Sequence, residues 1–296
     1  MIRYQPQTSL LTLRFLCYLF LILNPINSIA LLIDSKEIER QLSNSAIESN
    51  KAGHSDLQRF YAARNYQPVW FSEESPQLKT ALAFIASAET EGLNSQDYQL
   101  QQLTQLLQHS DQSSSAAIEL EIRTTHAVLK LATDLSRGRF SPTAADPDWH
   151  IPRADFDAVA FLQEAVHAEH LEDSLQKLSP QTLNYQLLKR TLAHYQELLR
   201  NTPEWIRIPS SPSIRPGDTY SSIPLIRQRI AQAHAADGLF EFNLTSGTSQ
   251  LYDTELVAAI KAFQAQHGLN TDGIIGKNTI NALNIPLEWK IRQLRI

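Results

Sequence analysis

Apolar residues recur along most of this chain at three- and four-residue steps, the spacing that lines one face of an α-helix. Ile33 to Lys51 is a polar, weakly helical lead-in. A helical pattern then runs from Ser55 to Tyr61, and Pro68 precedes a short apolar plug, Val69-Trp70-Phe71. Ser75-Pro76 supplies a cap and a first helical residue for a stripe of Leu78, Ala81, Leu82, Ile85 and Ala88, which Gly92 ends. A short helix is expected over Gln99–Gln108. Ala116 to Arg137 is apolar on more than one side, through Ile118, Ile122, Leu129 and Ala132 and again through Leu120, Val128, Leu131 and Leu135. So wide a surface predicts a central helix packed on several sides. Two more helices are expected, Asp155–Leu171 and Ser179–Leu199, the second burying Leu183, Leu187, Leu188, Leu192, Tyr195 and Leu199.

Pro203, Pro209, Pro212, Pro216 and Pro224 punctuate the next stretch, which reads as an extended linker. A helix over Ser222–Ala233 follows, then a long loop over Asp237–Ser249 with room for a short strand at Phe240–Leu244. Leu256, Ala259, Ile260 and Phe263 share one helical face, which His267-Gly268 closes. Asn270-Thr271-Asp272-Gly273 is a turn, and a last short helix buries Ile280 and Leu283. The fold class is mainly α: a helical domain over 36–210, a linker at 211–221, a small three-helix module at 222–286 and a stub at 287–296. No internal repeat and no large sheet is predicted.

Composition narrows the function classes. A net charge of −5 over 296 residues offers no basic stripe for nucleic acid. At the N-terminus Arg3 and Arg14 supply positive charge, Phe15 to Leu23 is apolar, and Ser28-Ile29-Ala30 offers small residues for cleavage after Ala30. That run makes about 14 Å of helix against a bilayer core of roughly 30 Å. It reads as a secretory signal over 1–30. The other reading is an uncleaved anchor continuing through Ile26 and Leu31 to Ile33, so contact with the membrane is expected through this segment only. Cys17, the single cysteine, lies inside the run, and an exported product then has no thiol nucleophile, disulfide or thiolate metal site.

The C-terminal pattern resembles the peptidoglycan-binding module of cell-wall enzymes, through Phe263-Gln264, Gly268-Leu269, Asp272-Gly273, Ile275-Gly276, Thr279 and Ala282-Leu283. The preceding region resembles the scaffold domain of large bacterial L,D-transpeptidases. The residues that carry this are Phe60-Tyr61, Tyr66 to Trp70, Glu91-Gly92-Leu93 with Asp97-Tyr98, Asp134 to Arg139, and Asp146 to Trp149. Leu178-Ser179-Pro180 with Tyr185 and Leu188, and the phrase Ile214-Arg215-Pro216-Gly217-Asp218, add to it. The likeness covers about residues 55–296. It implies peptidoglycan as partner, a periplasmic or cell-envelope location and a role in wall cross-linking. It also implies a following catalytic domain with a cysteine nucleophile in a Ser-His-Gly-Cys-type motif, which would begin about where Leu294-Arg295-Ile296 stands. No catalytic residue carries over. The expectation is therefore a non-catalytic, wall-binding protein: a truncated product, one piece of a split gene, or a protein that lost its enzyme domain. A separately encoded catalytic domain is a possible partner.

Other chemistry is weakly marked. His167 and His170 would share a helical face near Glu164 and Glu169, but zinc wants a further well-spaced ligand and none is marked. No Gly-x-Ser-x-Gly elbow or carboxylate pair points to a hydrolase, which leaves a wall hydrolase with an unmarked site as the remaining enzymatic reading. No metal or cofactor is expected. Asp134, Arg137, Arg139 and Trp149 read either as a polar-aromatic patch or as a pin for the Ser141–Pro152 arm. The ligand-binding candidates are Gln264, His267 and Asp272, an amide, an imidazole and a carboxylate near one turn that can hydrogen-bond sugar hydroxyls or peptide amides. Asp272 is equally a turn cap and His267 a helix cap.

Overall fold

The computed structural model describes residues 33–44, 51–71, 77–110, 113–140, 143, 146–150, 155–167, 170–202, 204–237, 244 and 247–295. The expected signal segment, with Cys17, and the Phe240–Leu244 strand lie outside these residues, apart from Leu244 itself. Among the described residues the structure is almost wholly helical, and its extended pairings are two isolated bridges, Ile214 with Ile275 and Thr219 with Leu251. No helix among them is long and apolar enough to cross a membrane.

The chain divides into two compact units, Met1–Thr182 and Leu183–Ile296. The first contains α1 (Ser35–Asn44), α2 (Lys51–Ala62), α3 (Gln77–Ser87), α4 (Leu100–His109), α5 (Ser114–Arg137), α6 (Ala158–His167) and α7 (Leu171–Gln176). Helix α5 is central, as its wide apolar surface predicts, with Ile118, Leu120, Ile122, Val128, Leu129 and Leu131 all buried. Ser113 starts it by accepting a hydrogen bond from the Ala116 amide at 3.5 Å. The helix expected over Asp155–Leu171 ends at His167, and His170 precedes α7 rather than sharing a face with His167; both histidines are exposed.

One acid sits inside the α5 core. Glu121 is fully buried, and its carboxylate accepts from the Val69 amide at 2.6 Å, the Trp70 amide at 3.0 Å and the Tyr61 hydroxyl at 2.9 Å. Thr125 completes the group, 2.7 Å from Tyr61 Oη and accepting from Trp70 Nε1 at 2.9 Å. The apolar plug after Pro68 is thus tied to α5 by polar bonds as well as by packing. Burial pushes Glu121 up to about 7, against the opposing pull of the Val69 and Trp70 amides. At the end of α5, Asp134 accepts from Tyr98 Oη at 2.8 Å and pairs with Lys130 at 3.3 Å, while Arg139 pairs with Asp97 at 2.8 Å. These residues pin the Ser95–Tyr98 turn to α5, so Asp134 and Arg139 partner that turn. Phe140 and Trp149 are exposed.

The second unit contains α8 (Leu183–Asn201), α9 (Ile223–Asp237), α10 (Thr254–Gln266), α11 (Lys277–Leu283) and α12 (Leu287–Leu294). Four expectations change here. The division falls at Thr182/Leu183, well before the proline-rich stretch, because α8 packs through Leu192, Tyr195 and Leu198 on Ala236, Leu287 and Ile291. Of the six α8 residues expected to be core only Leu192 is fully buried; Leu183 is 72 % exposed, and Leu187 and Leu188 are 48 % and 55 % exposed. Leu199, at the other end, is also exposed. The helical period was legible, but the neighbours of this helix cover only the side that carries Leu192, Tyr195 and Leu198.

The stretch around 211–221 is extended but is no free spacer. Ile208 and Ile214 are buried, Asn284 exchanges two 2.8 Å hydrogen bonds with the backbone of Ile208, and Trp205 Nε1 donates to the Ile285 carbonyl at 3.0 Å. Proline sets the backbone there, and the side chains between the prolines do the packing. Residues expected as a stub form α12, which buries Leu287 and Ile291 and sends Lys290 to Asp237 at 2.7 and 2.8 Å.

Candidate functional site

The second unit builds its surface features around α10. Asp253 caps that helix, its Oδ1 accepting from the Leu256 amide at 2.9 Å, and its Oδ2 takes the buried Arg227 guanidinium at 2.6 Å. One carboxylate therefore satisfies an orphan helix amide and neutralises a cation on α9. At the far end Gly268, with φ of +64°, turns the chain out of the helix.

The loop that follows is held by Gln264. Its side chain is buried, and its amide is used completely within the module. Oε1 accepts from the Gly273 amide at 2.9 Å, while Nε2 lies 3.1 Å from Asp272 Oδ1, 3.0 Å from the Ile274 carbonyl and 3.2 Å from Thr279 Oγ1. The Gly273 N–H can only donate and the Ile274 carbonyl only accept, which sets the orientation of the amide. Gln264, expected at a ligand, holds the turn through these bonds.

Asp272 also accepts from the Ile274 amide at 2.8 Å through Oδ1, as a turn cap does, and stays exposed with Oδ2 outside those bonds. His267 closes the helix: Nδ1 lies 2.9 Å from the Phe263 carbonyl, the ring stacks on Phe263 with centroids 3.9 Å apart, and Nε2 is 3.9 Å from Asp237 Oδ2. The three candidates do not converge on one point. Gln264 and Asp272 meet at the turn, while His267 faces Asp237. Asp237, which sequence reasoning missed, joins Lys290 and also accepts from Tyr195 Oη at 3.0 Å, and burial with this carboxylate pushes the Tyr195 phenol up.

An open cleft of about 430 Å³ lies on the same unit. Pro216 and Gly217 form one side and Leu251 and Tyr252 another; Asp253, Thr254 and Val257 bring in the first turns of α10. Tyr252 is wholly buried and donates from Oη to the Gly273 carbonyl at 2.6 Å, so it supports the cleft wall and links it to the Gln264 turn. Burial, reinforced by the Asp272 charge, raises that phenol. The bridge between Thr219 and Leu251 brings Pro216-Gly217 and Leu251-Tyr252 together, with Gly217 N 2.9 Å from the Tyr252 carbonyl. The sequence signal for this cleft was the Pro216-Gly217-Asp218 phrase, which shows nothing of the residues it meets.

The cleft lining offers apolar contact and hydrogen bonding. Among the described residues, no group of three His, Cys, Asp or Glu side chains is placed to hold a metal. Comparison with protein families gives two matches. Residues 55–192 match the scaffold domain family, and residues 239–283 match the peptidoglycan binding domain family. The scaffold match runs ten residues into α8, past the division between the two units. The peptidoglycan-binding match begins after α9, although Ile223, Ile226 and Ile230 of that helix share one core with Leu256, Ile260 and Phe263 of α10. No curated protein matches the chain.

Proposed function

We propose that this is a non-catalytic peptidoglycan-binding protein of the bacterial envelope, related to L,D-transpeptidases and active in organising or cross-linking the wall. The observation that carries the reading is the match of residues 239–283 to the peptidoglycan binding domain family, on a helical module with an open cleft. The scaffold-domain match over 55–192 and the motif likeness to the L,D-transpeptidase scaffold support the family relation. Arg3, Arg14, the Phe15–Leu23 run and Ser28-Ile29-Ala30 support export to the periplasm. Asp272, exposed with one carboxylate oxygen outside its turn, is an outer ligand contact in this reading, as is the edge of His267; Gln264 acts by holding the turn. Incubation of the exported chain with purified sacculi, followed by sedimentation, is expected to carry the protein into the pellet. Complete recovery in the supernatant would overturn the reading.

A second reading is favoured by the exposed Leu183, Leu187 and Leu188 on α8. On this reading the chain is an interaction scaffold that docks a separately encoded L,D-transpeptidase catalytic domain. Co-purification with such a domain, lost on Leu187→Glu, is the expected outcome, and co-purification unaffected by that change would overturn it.

A further inference from the structure

The walls of the cleft say which part of peptidoglycan they suit. We infer that the cleft between the Pro216-Gly217 turn and the start of α10 binds the stem peptide of peptidoglycan rather than its glycan strand. This rests on the peptidoglycan-binding reading above and narrows it to one component of the polymer.

Sugar rings are bound on exposed aromatic faces and by fans of polar side chains. Here the one aromatic residue in the lining, Tyr252, is buried, and its hydroxyl is spent on the Gly273 carbonyl. The accessible walls are aliphatic: Pro216, Leu251 and Val257 are the size of wall that alanyl methyl groups fill, and Leu251 is 45 % exposed. Backbone groups are available beside them. Thr254 is the first residue of α10, so its N–H has no acceptor within the helix. In the bridge between Thr219 and Leu251 the hydrogen bonds are made by the flanking residues, Tyr220 to Gln250 and Tyr252 to Asp218, each at 2.8–2.9 Å. The Leu251 carbonyl consequently points away from Thr219. A donor, an acceptor and small apolar walls are what an extended peptide needs. Asp253 is the one charged residue in the lining, and both its oxygens are engaged, one by the Arg227 guanidinium and the other by the Leu256 amide, so recognition in the cleft falls to backbone hydrogen bonds and apolar contact.

The test is an amide-resolved NMR titration of the full exported chain with two soluble probes, the free stem tetrapeptide and the peptide-free disaccharide, run beside sacculus sedimentation. The tetrapeptide is expected to shift the Gly217, Thr254 and Val257 amides saturably, and the disaccharide to leave them in place. Two variants sharpen it. Leu251→Glu changes an exposed wall, and Thr254→Pro removes the free N–H at a helix position that accepts proline, after an Asp253 already extended at φ −76°, ψ 172°. Each is expected to keep the wild-type melting profile and to weaken tetrapeptide binding by about tenfold. Shifts produced by the disaccharide, or no cleft shifts from a chain that still sediments with sacculi, would overturn the inference and leave the wall-binding reading standing. A chain that fails to sediment at all overturns that reading, and the inference with it.

Discussion

Replacing Gln264 by Glu keeps the shape of the side chain and reverses one half of its hydrogen bonding. The amide nitrogen lies within 3.2 Å of three acceptors, Asp272 Oδ1, the Ile274 carbonyl and Thr279 Oγ1. Of these only the threonine can turn its hydroxyl to donate. A carboxylate in place of the amide therefore meets two oxygens it cannot bond, one of them charged, inside a site from which water is excluded. Each lost bond that leaves a buried group unsatisfied costs about 1–3 kcal/mol, more when the group is charged. Gln264→Glu should then destabilise the second unit by about 3–5 kcal/mol near neutral pH. Gln264→Ala, which orphans the Gly273 amide and opens a small void, should cost about 2–4 kcal/mol.

The two variants differ in pH dependence. Burial beside Asp272 raises the folded-state pKa of the introduced carboxyl above its unfolded value of about 4.3. The unfolded chain then releases its proton first, and stability falls as pH rises through that window. Gln264→Glu is expected to recover part of its loss below about pH 4.5, where the protonated acid can donate one bond, and Gln264→Ala is not. The assay is hydrogen exchange at the Gly273 amide together with thermal unfolding, where each kcal/mol moves the midpoint by about 4–8 °C in a unit of this size. Wild-type protection at Gly273 in Gln264→Ala, or equal pH profiles for the two variants, refutes the assignment of Gln264 as the turn holder.

Other outcomes follow from the same geometry. Glu121 is raised to about 7 in the fold against 4.5 as its reference. The Glu121 contribution to the stability of the first unit should therefore be fully present below about pH 4.5 and fall by roughly 3 kcal/mol as pH climbs to 7, seen as faster exchange at the Val69 and Trp70 amides. Glu121→Gln should flatten that slope, and a persisting slope would assign it elsewhere. Gly273→Ala places a methyl 3.0 Å from Lys261 Cε and 3.3 Å from Val257 Cγ1 at φ +74°, and should lower the melting midpoint by about 5 °C or more. Asp253→Ala removes a helix cap and leaves the buried Arg227 to the longer Glu255 pair at 3.8 Å, so its loss should exceed the roughly 1 kcal/mol of a cap alone.

How much of this was legible in the sequence depended on whether the signal was local. The α5 stripe and the Gly268 stop rest on neighbours a few residues apart, and each shows in the pattern. Periodicity also placed a helix at α8, but Leu183, Leu187 and Leu188 look the same in sequence whether or not something covers them. Pro209, Pro212 and Pro216 signalled extended backbone correctly, while Pro224 sits in the first turn of α9; that Ile208 and Ile214 pack into the second unit depends on partners at Asn284 and Ile275, far along the chain. Gln264 drew notice as an amide near a turn, and only its burial against Gly273 and Thr279 shows what it does. The cleft joins Pro216-Gly217 to Leu251–Val257 across the fold, so its parts were visible and their meeting was not.

The claim that matters most is that the folded C-terminal module grips the wall. A binding isotherm of the full chain on purified sacculi, run for wild type and for Gln264→Glu at neutral pH, addresses it directly. Saturable attachment by wild type, lost in the variant while the Val69 and Trp70 amides stay protected, is the predicted result. Attachment that never saturates, or that the variant keeps after its module has unfolded, would contradict the account.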